Sequence, residues 1–259
     1  MHAEAFAELG LEAEYAPARL PTRDPGAVAA ALRRHAATGG GNVTLPHKTR
    51  AALALDEPTP AVRATGACNC FWQTDDGRLA GDNTDVEGVE AVLRELLGGR
   101  RLEEVLVLGA GGAGAAVAVA VGRLGPGLIR VTNRTSARAR RLVERLRALG
   151  LDARCEPWPP AGPFDVIVNA TTLGLDPVDP PPVSFDRVTA RVALDLVYPA
   201  VGAETGSTTD WVRAARARGI EATDGLEVLV RQAAACYPRW FGVDAPLAAL
   251  RRGARGVMT

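Results

Sequence analysis

Lys48 is the only lysine in a chain that carries 30 lysines and arginines together, and it closes the run Gly41-Asn42-Val43-Thr44-Leu45-Pro46-His47-Lys48. Arginine serves solubility and surface ion pairs equally well. A lysine is required where a compact ammonium must share or release a proton, which a guanidinium does not do readily. Two readings follow: a residue left over by a composition that drifted toward arginine, or an ammonium that chemistry retains. The setting favours the second. Residues 42–45 form a β-type run, and Pro46 cannot donate to a sheet ladder and marks its end. Polar groups at a strand end, ahead of a helix, are where α/β proteins place their chemistry. Asn69, inside Cys68-Asn69-Cys70, and Asp85, in Gly81-Asp82-Asn83-Thr84-Asp85, are the polar groups to set against the lysine. A carboxylate beside the ammonium would hold it charged and oriented, or act with it in proton transfer. For Asp85 the alternative of a simple helix cap stands equally well.

A second constellation is Val105-Leu106-Val107-Leu108-Gly109-Ala110-Gly111-Gly112-Ala113-Gly114, an apolar strand running into G-x-G-x-x-G and then an Ala/Val helix. The glycines let the backbone turn sharply, and they let the helix N-terminus approach a pyrophosphate. Alone the pattern is weak among 28 glycines, but here strand, helix and next strand all stand where a dinucleotide needs them. Residues 109–113 are therefore candidate cofactor ligands. The end of the second strand selects the cofactor. An NAD site wants an acid there for the ribose hydroxyls. Thr132-Asn133-Arg134-Thr135-Ser136 offers none, and an arginine among short polar side chains suits a 2′-phosphate. NADP is expected, held by Asn133, Arg134 and Thr135. An ordinary surface arginine is the competing reading for Arg134.

These groups must be positioned by two kinds of architecture. In the first, a helix at 2–9 ends at Gly10 and a weak strand covers 14–16. Asp24-Pro25 caps and opens a helix that stops before Gly39-Gly40-Gly41. Short helices follow at 49–55 and 60–65, then strands at 67–73 and 78–80 joined by an Asp76-Gly77 turn. A helix over 86–97 is capped by Thr84 or Asp85. Beyond Gly98-Gly99, strand and helix alternate as a parallel sheet requires. Strands are expected at 104–108, 128–132, 152–155, 165–169, 192–196 and 221–223, with helices at 113–124, 136–149 and 209–217. Pro-rich loops fill 157–163 and 176–182. Two last helices, 226–237 and 245–252, return to the first unit. The chain reads as a two-domain α/β protein, with a substrate domain at 1–85 and a Rossmann NADP-binding domain at 86–224. The helices of 225–259 pack back on the substrate domain.

Acidic and basic residues balance at a formal net charge of zero, which removes any global field for nucleic acid or an anionic membrane. The run Arg138, Arg140, Arg141, Arg145, Arg147 has no interleaved aromatics and reads as a solvated helix face. Cys68, Cys70, Cys155 and Cys236 lack zinc spacing, so reduced thiols in a cytoplasmic protein without a bound metal are expected. The opening Met1-His2-Ala3-Glu4 lacks a basic leader, and the apolar run 113–121 is too short to span a bilayer.

Taken together, the motifs resemble the shikimate dehydrogenase family over nearly the whole chain, in order. The matching runs are Asn-Val-Thr-Leu-Pro-His-Lys ending at Lys48, Gly-Ala-Cys-Asn at Asn69, Gly-Asp-Asn-Thr-Asp at Asp85, and Gly-Ala-Gly-Gly-Ala-Gly at 109–114. Asn-Arg-Thr at 133–135, Asn-Ala-Thr-Thr-Leu-Gly from Asn169, Asp-Leu-Val-Tyr at Tyr198 and the run ending at Gln232 complete them. The resemblance implies reversible reduction of 3-dehydroshikimate to shikimate with NADPH, in aromatic amino-acid and chorismate biosynthesis, by a monomer or homodimer. It implies a catalytic Lys48 partnered by Asp85, and substrate hydroxyls held by Thr44, Asn69, Asp85, Tyr198 and Gln232. It also implies a nicotinamide touched by the backbone near Leu196 and Gly225.

Two departures qualify it. Cys70 stands where the family has threonine. The family pattern also places a strand and a Ser-x-Ser-Pro run, whose serines bind the substrate carboxylate, ahead of the helix that carries a histidine like His2. The 259 residues open at that helix, so a first sheet short of one strand and a weakened carboxylate anchor are expected. Quinate or aminoshikimate dehydrogenases using the same lysine, and a catalytically silent NADP-binding relative, are the alternative functions.

Overall fold

The computed structural model describes residues 1–20, 24–176, 178–199 and 207–256. Pro177 of the second Pro-rich loop and the last three residues of the 225–259 segment lie outside them.

The first half builds a small mixed sheet under helices. Helix α1 (His2–Leu9) ends at Gly10, whose φ of 64° is the left-handed turn that glycine adopts freely. In α2 (Pro25–Ala36) the Asp24 carboxylate accepts from the Ala27 amide at 2.7 Å, and the proline fills the first turn, where no N–H is needed. There follow β1 (Gly41–Asn42), α3 (Lys48–Ala54), β2 (Glu57–Pro58), α4 (Pro60–Thr65), β3 (Cys70–Gln73) and β4 (Leu79–Asp82). The sheet order is β1-β3-β4-β2, with β3 antiparallel to both neighbours and β2 parallel to β4. Val28, Leu32, Val43, Ala51, Val62, Phe71 and Leu79 form its core.

Three expectations are corrected here. No strand forms at residues 14–16. A strand needs a ladder partner, and the outer edge of β1 carries none among the described residues. Tyr15 instead stacks on the His2 ring with centroids 4.1 Å apart and donates its hydroxyl to Asn42 Oδ1 at 2.9 Å. The strand expected at 42–45 is shorter, because after Val43 the backbone turns, with the His47 amide donating to the Thr44 carbonyl at 3.0 Å. Helix α5 (Thr84–Leu97) starts earlier than expected, with Asn83 at the cap position. Neither Thr84 nor Asp85 caps it, and both side chains serve the site described below.

The second sheet is built from β5 (Glu104–Leu108), β6 (Leu128–Thr132), β7 (Ala153–Cys155), β8 (Gly162–Asn169), β9 (Val188–Asp195) and β10 (Glu221–Thr223), all parallel, in the order β10-β9-β8-β5-β6-β7. Helices α6 (Gly112–Arg123), α7 (Ser136–Ala148) and α8 (Asp210–Arg216) cover its faces. Both faces are buried, so strand residues alternate between two cores rather than between core and water. Val105 and Val107 face the α5–α6 side, whereas Leu106 and Leu108 face Trp211 and Val212 of α8. Strands β8 and β9 begin earlier than expected, pairing from Gly162 with Val188, so the first Pro-rich loop is shorter.

Among the described residues the last segment forms three helices where two were expected: α9 (Leu226–Ala234), α10 (Tyr237–Phe241) and α11 (Leu247–Gly256). Pro238 in the first turn of α10 has no N–H to continue α9. Helix α9 packs on α5, and α11 packs on α1, around Phe6, Val230, Tyr237 and Leu250. His2 lies in this core with Nδ1 at 3.3 Å from the Tyr237 hydroxyl, and burial pushes its pKa down from 6.5 to about 4. The unfolded chain therefore binds a proton between those values that the folded chain does not. Stability is complete above pH 6.5 and declines as pH falls toward about 4, by up to about 3 kcal/mol. Urea unfolding across that window should show a flatter pH dependence for His2→Gln than for the wild type. Parallel curves would remove His2 as the cause.

Candidate active site

Lys48 opens α3, where its backbone carbonyl accepts from the Cys68 amide at 2.9 Å and ties it to the approach to β3. Its Nζ donates to Asp85 Oδ2 at 2.6 Å, with the two side chains 18% and 17% exposed. The pair is thus largely sheltered from solvent screening and remains reachable. Asp85 lies in the first turn of α5, where the helix dipole favours its charge. Its other oxygen accepts from Asn69 Nδ2 at 2.8 Å. Asn69 is buried, and its Oδ1 takes the Thr84 amide at 2.7 Å and the Thr84 hydroxyl at 3.2 Å. Those two donors fix the amide's orientation, committing Nδ2 to Asp85 and to Gln232 Oε1 at 3.2 Å.

Lys48, Asn69, Asp85 and Gln232 are therefore one connected cluster. Thr84, which sequence reasoning weighed only as a cap, is the group that orients Asn69. Its place between Asn83 and Asp85 in the motif was the available signal. Thr44 and Tyr198 make no hydrogen bond to the cluster and are exposed. The Thr44 hydroxyl reaches only the Leu45 carbonyl, at 3.5 Å, and the Tyr198 hydroxyl has no partner among the described residues.

The glycine-rich turn lies at the switch point between β5 and β8. Gly109 has a φ of 108°, and a methyl there would lie 2.7 Å from the Ala170 carbonyl oxygen. A methyl on Gly114 would collide with the Gly109 carbonyl. These two glycines serve close backbone packing. Gly111 differs: a methyl there would meet nothing within 4 Å, so the space beside the turn is open to a ligand. The turn thus fits a dinucleotide pyrophosphate, with Ala113 in the first turn of α6 behind it. A methyl on Gly112 would come within 3.9 Å of Lys48 Cβ, so the turn sits against the stem of the lysine.

At the end of β6, Asn133 Oδ1 accepts from the Ala110 amide at 3.2 Å and its Nδ2 donates to the Thr135 carbonyl at 3.0 Å, joining the two cofactor segments. Arg134 is exposed and has no ion-pair partner among the described residues. Its guanidinium is free for a phosphate. Arg134→Ala should weaken NADP by about 1.5–3 kcal/mol, the range for hydrogen bonds to charged groups, and leave NAD unchanged. Calorimetric titration with both cofactors checks this, and equal weakening of both would point to a folding role.

Leu196 and Gly225 touch at the ends of β9 and β10, where a methyl on Gly225 would strike the Leu196 carbonyl. Beneath them Asp195 is buried, and that burial pushes its pKa up against the pull of Thr209, Asn169 and the Val197 amide. A cavity of about 620 Å³ opens at the other end of the sheet, lined by Glu103, Glu104, Arg130, Asp165 and Arg191. Its charges are all paired, Arg130 with Glu104 and Glu156, Arg191 with Asp165, and Glu103 with Arg101.

A doubly wound parallel sheet with a glycine turn at its switch point, faced by a sheltered lysine–carboxylate pair, defines a two-domain nicotinamide-dependent oxidoreductase. The family model for the shikimate dehydrogenase substrate binding domain matches residues 1–71. A shikimate dehydrogenase (NADP(+)) from Rubrobacter xylanophilus is 40% identical over 265 residues, spanning 99% of this chain and 90% of that protein. The chain belongs to the shikimate dehydrogenase family. Among solved structures, the Thermus thermophilus shikimate 5-dehydrogenase in complex with NADP(H) and shikimate matches with a TM-score of 0.79 at 36% identity, covering 99% of this chain and 92% of that one. A 5-ketofructose reductase of Gluconobacter matches with a TM-score of 0.82 at 27% identity, covering 98% and 91%.

Proposed function

We propose that the protein reversibly reduces 3-dehydroshikimate to shikimate, and that Lys48 and Asp85 perform the proton-transfer half of the reaction. The observation that carries the assignment of roles is the 2.6 Å Lys48–Asp85 pair lying against the glycine turn. NADPH, when bound, supplies the hydride, and NADP⁺ accepts it in the reverse direction. Residues 109–113 would hold the pyrophosphate, Asn133, Arg134 and Thr135 the 2′-phosphate side, and the backbone of Leu196 and Gly225 the nicotinamide. As the substrate carbonyl is reduced, charge builds on its oxygen. The Lys48 ammonium stabilises that charge and delivers the proton, and Asp85 keeps the ammonium aimed. Substrate hydroxyls would reach Asn69 and Gln232 by taking over the 3.2 Å hydrogen bond that joins the two amides, and Thr44 and Tyr198 approach from the exposed side.

The reading carries a division into a substrate domain at 1–85, an NADP-binding domain at 86–224 and helices at 225–259 packed back on the first. The core shared by α1 and α11 supports the return of the last helices. Helix α5 serves both units, because it packs on α6 as well as α9. No helix among the described residues is long and apolar enough to cross a membrane. A cytoplasmic location and a monomer or homodimer complete the reading. The test is NADP⁺ reduction with shikimate, with quinate and with buffer alone. NADPH formation that depends on shikimate is expected, and its absence would overturn the assignment.

A further inference from the structure

Two helices carry opposite sides of the proposed substrate site. Asp85 is in the first turn of α5, and Gln232 is in the second half of α9. Gly88 stands where they cross, three residues beyond Asp85 and therefore on the same helix face. A methyl on Gly88 would lie 2.9 Å from the Val228 carbonyl oxygen, 3.0 Å from the Gln232 amide nitrogen and 3.1 Å from Gln232 Cβ. The first two are backbone atoms and cannot swing aside.

The backbone itself does not call for glycine here, since Gly88 is absent from the positive-φ residues. Inside a 14-residue helix, glycine is an unfavourable choice on propensity grounds. What it provides is approach. Retreat of α9 would give up its packing on α5 and the Arg231–Glu95 pair between the two helices.

We propose that Gly88 is a positioning residue that sets the width of the substrate site. It lets α9 come close enough to α5 for Gln232 Oε1 to accept from Asn69 at 3.2 Å and face the Asp85 side. The assignment rests on the shikimate reading above. Gln232 is then held at a reach that suits its own side-chain length and no shorter one.

The test is steady-state kinetics with shikimate and NADP⁺, plus cofactor titration. The proteins are the wild type, Gly88→Ala, Gln232→Ala, their double variant and Gln232→Asn. Gly88→Ala should raise the shikimate KM about tenfold with a smaller change in kcat, and leave the NADP⁺ dissociation constant within about twofold. In the Gln232→Ala background the alanine at 88 should add little, because the two act through one contact. Gln232→Asn, one methylene shorter, should lose as much as Gln232→Ala. A destabilised fold alone would not produce this pattern of KM against kcat.

The proposal is overturned by a near-wild-type KM in Gly88→Ala, by an undiminished effect in the double variant, or by near-wild-type activity of Gln232→Asn. The last variant decides the matter if cofactor titration finds Gly88→Ala unfolded. A wild-type protein that makes no NADPH from shikimate would instead overturn the functional reading, before any variant is compared.

Discussion

Lys48→Arg should lower turnover by roughly two decades or more, the scale on which removing a group that meets developing charge acts. NADP affinity should stay close to wild type. The argument is one of chemistry rather than charge. The guanidinium keeps the positive charge but holds its protons too firmly to deliver one at neutral pH. It is also planar and broad, whereas Asp85 Oδ2 meets a single compact Nζ at 2.6 Å in a setting where each side chain is less than a fifth exposed. Shikimate-dependent NADPH formation reports the first quantity and calorimetric cofactor titration the second. A rate constant close to wild type would remove Lys48 from the chemistry and return it to a compositional remnant.

Asp85→Asn should cost a comparable amount, about two decades in kcat, in the range of general acid–base effects. The carboxylate accepts on both oxygens, from Lys48 Nζ at 2.6 Å and Asn69 Nδ2 at 2.8 Å. An amide offers one acceptor and one donor. Whichever way it turns, an N–H faces either the ammonium or the Asn69 NH₂, and a sheltered cation loses its counter-charge. The Asn69 amide cannot flip to relieve this, because the Thr84 backbone N–H and hydroxyl already hold its oxygen. Thermal melts made alongside the kinetics separate loss of the pair from loss of the fold. If Asp85→Asn turned over normally, proton transfer by Lys48 would not depend on a carboxylate partner.

Much of this architecture could be read in the residues, for reasons that differ by region. The parallel strands were legible because a sheet buried on both faces demands unbroken apolar runs such as Val105-Leu106-Val107-Leu108, and glycine and proline punctuate them. The first sheet was less legible. Residues 14–16 offer only Tyr15 as a strand former, and a strand is a pairing and not a property of three residues. The order of caps around Asn83, Thr84 and Asp85 could not be ranked, since all three types accept from free helix amides. Lys48 and Asp85 are 37 positions apart, and no periodicity places them in contact. Gln232 was reached only through the family resemblance, because it lies 163 positions from its partner Asn69. The close crossing at Gly88 left no mark beyond a mild defect in helix propensity.

The return of the last helices to the first one sets an order of assembly during synthesis. Phe6 of α1 finds its buried neighbours Val230, Tyr237 and Leu250 only once almost the whole chain has been made. The six-stranded sheet, whose longest gap between paired neighbours is short by comparison, can close while those residues are still being added. A nascent chain therefore leaves the ribosome with its first helix waiting, an apolar stripe unpaired, as the middle of the polypeptide condenses. The Asn69–Gln232 contact inherits the same delay. The enclosure that would hold substrate is finished after the platform that would hold the nucleotide.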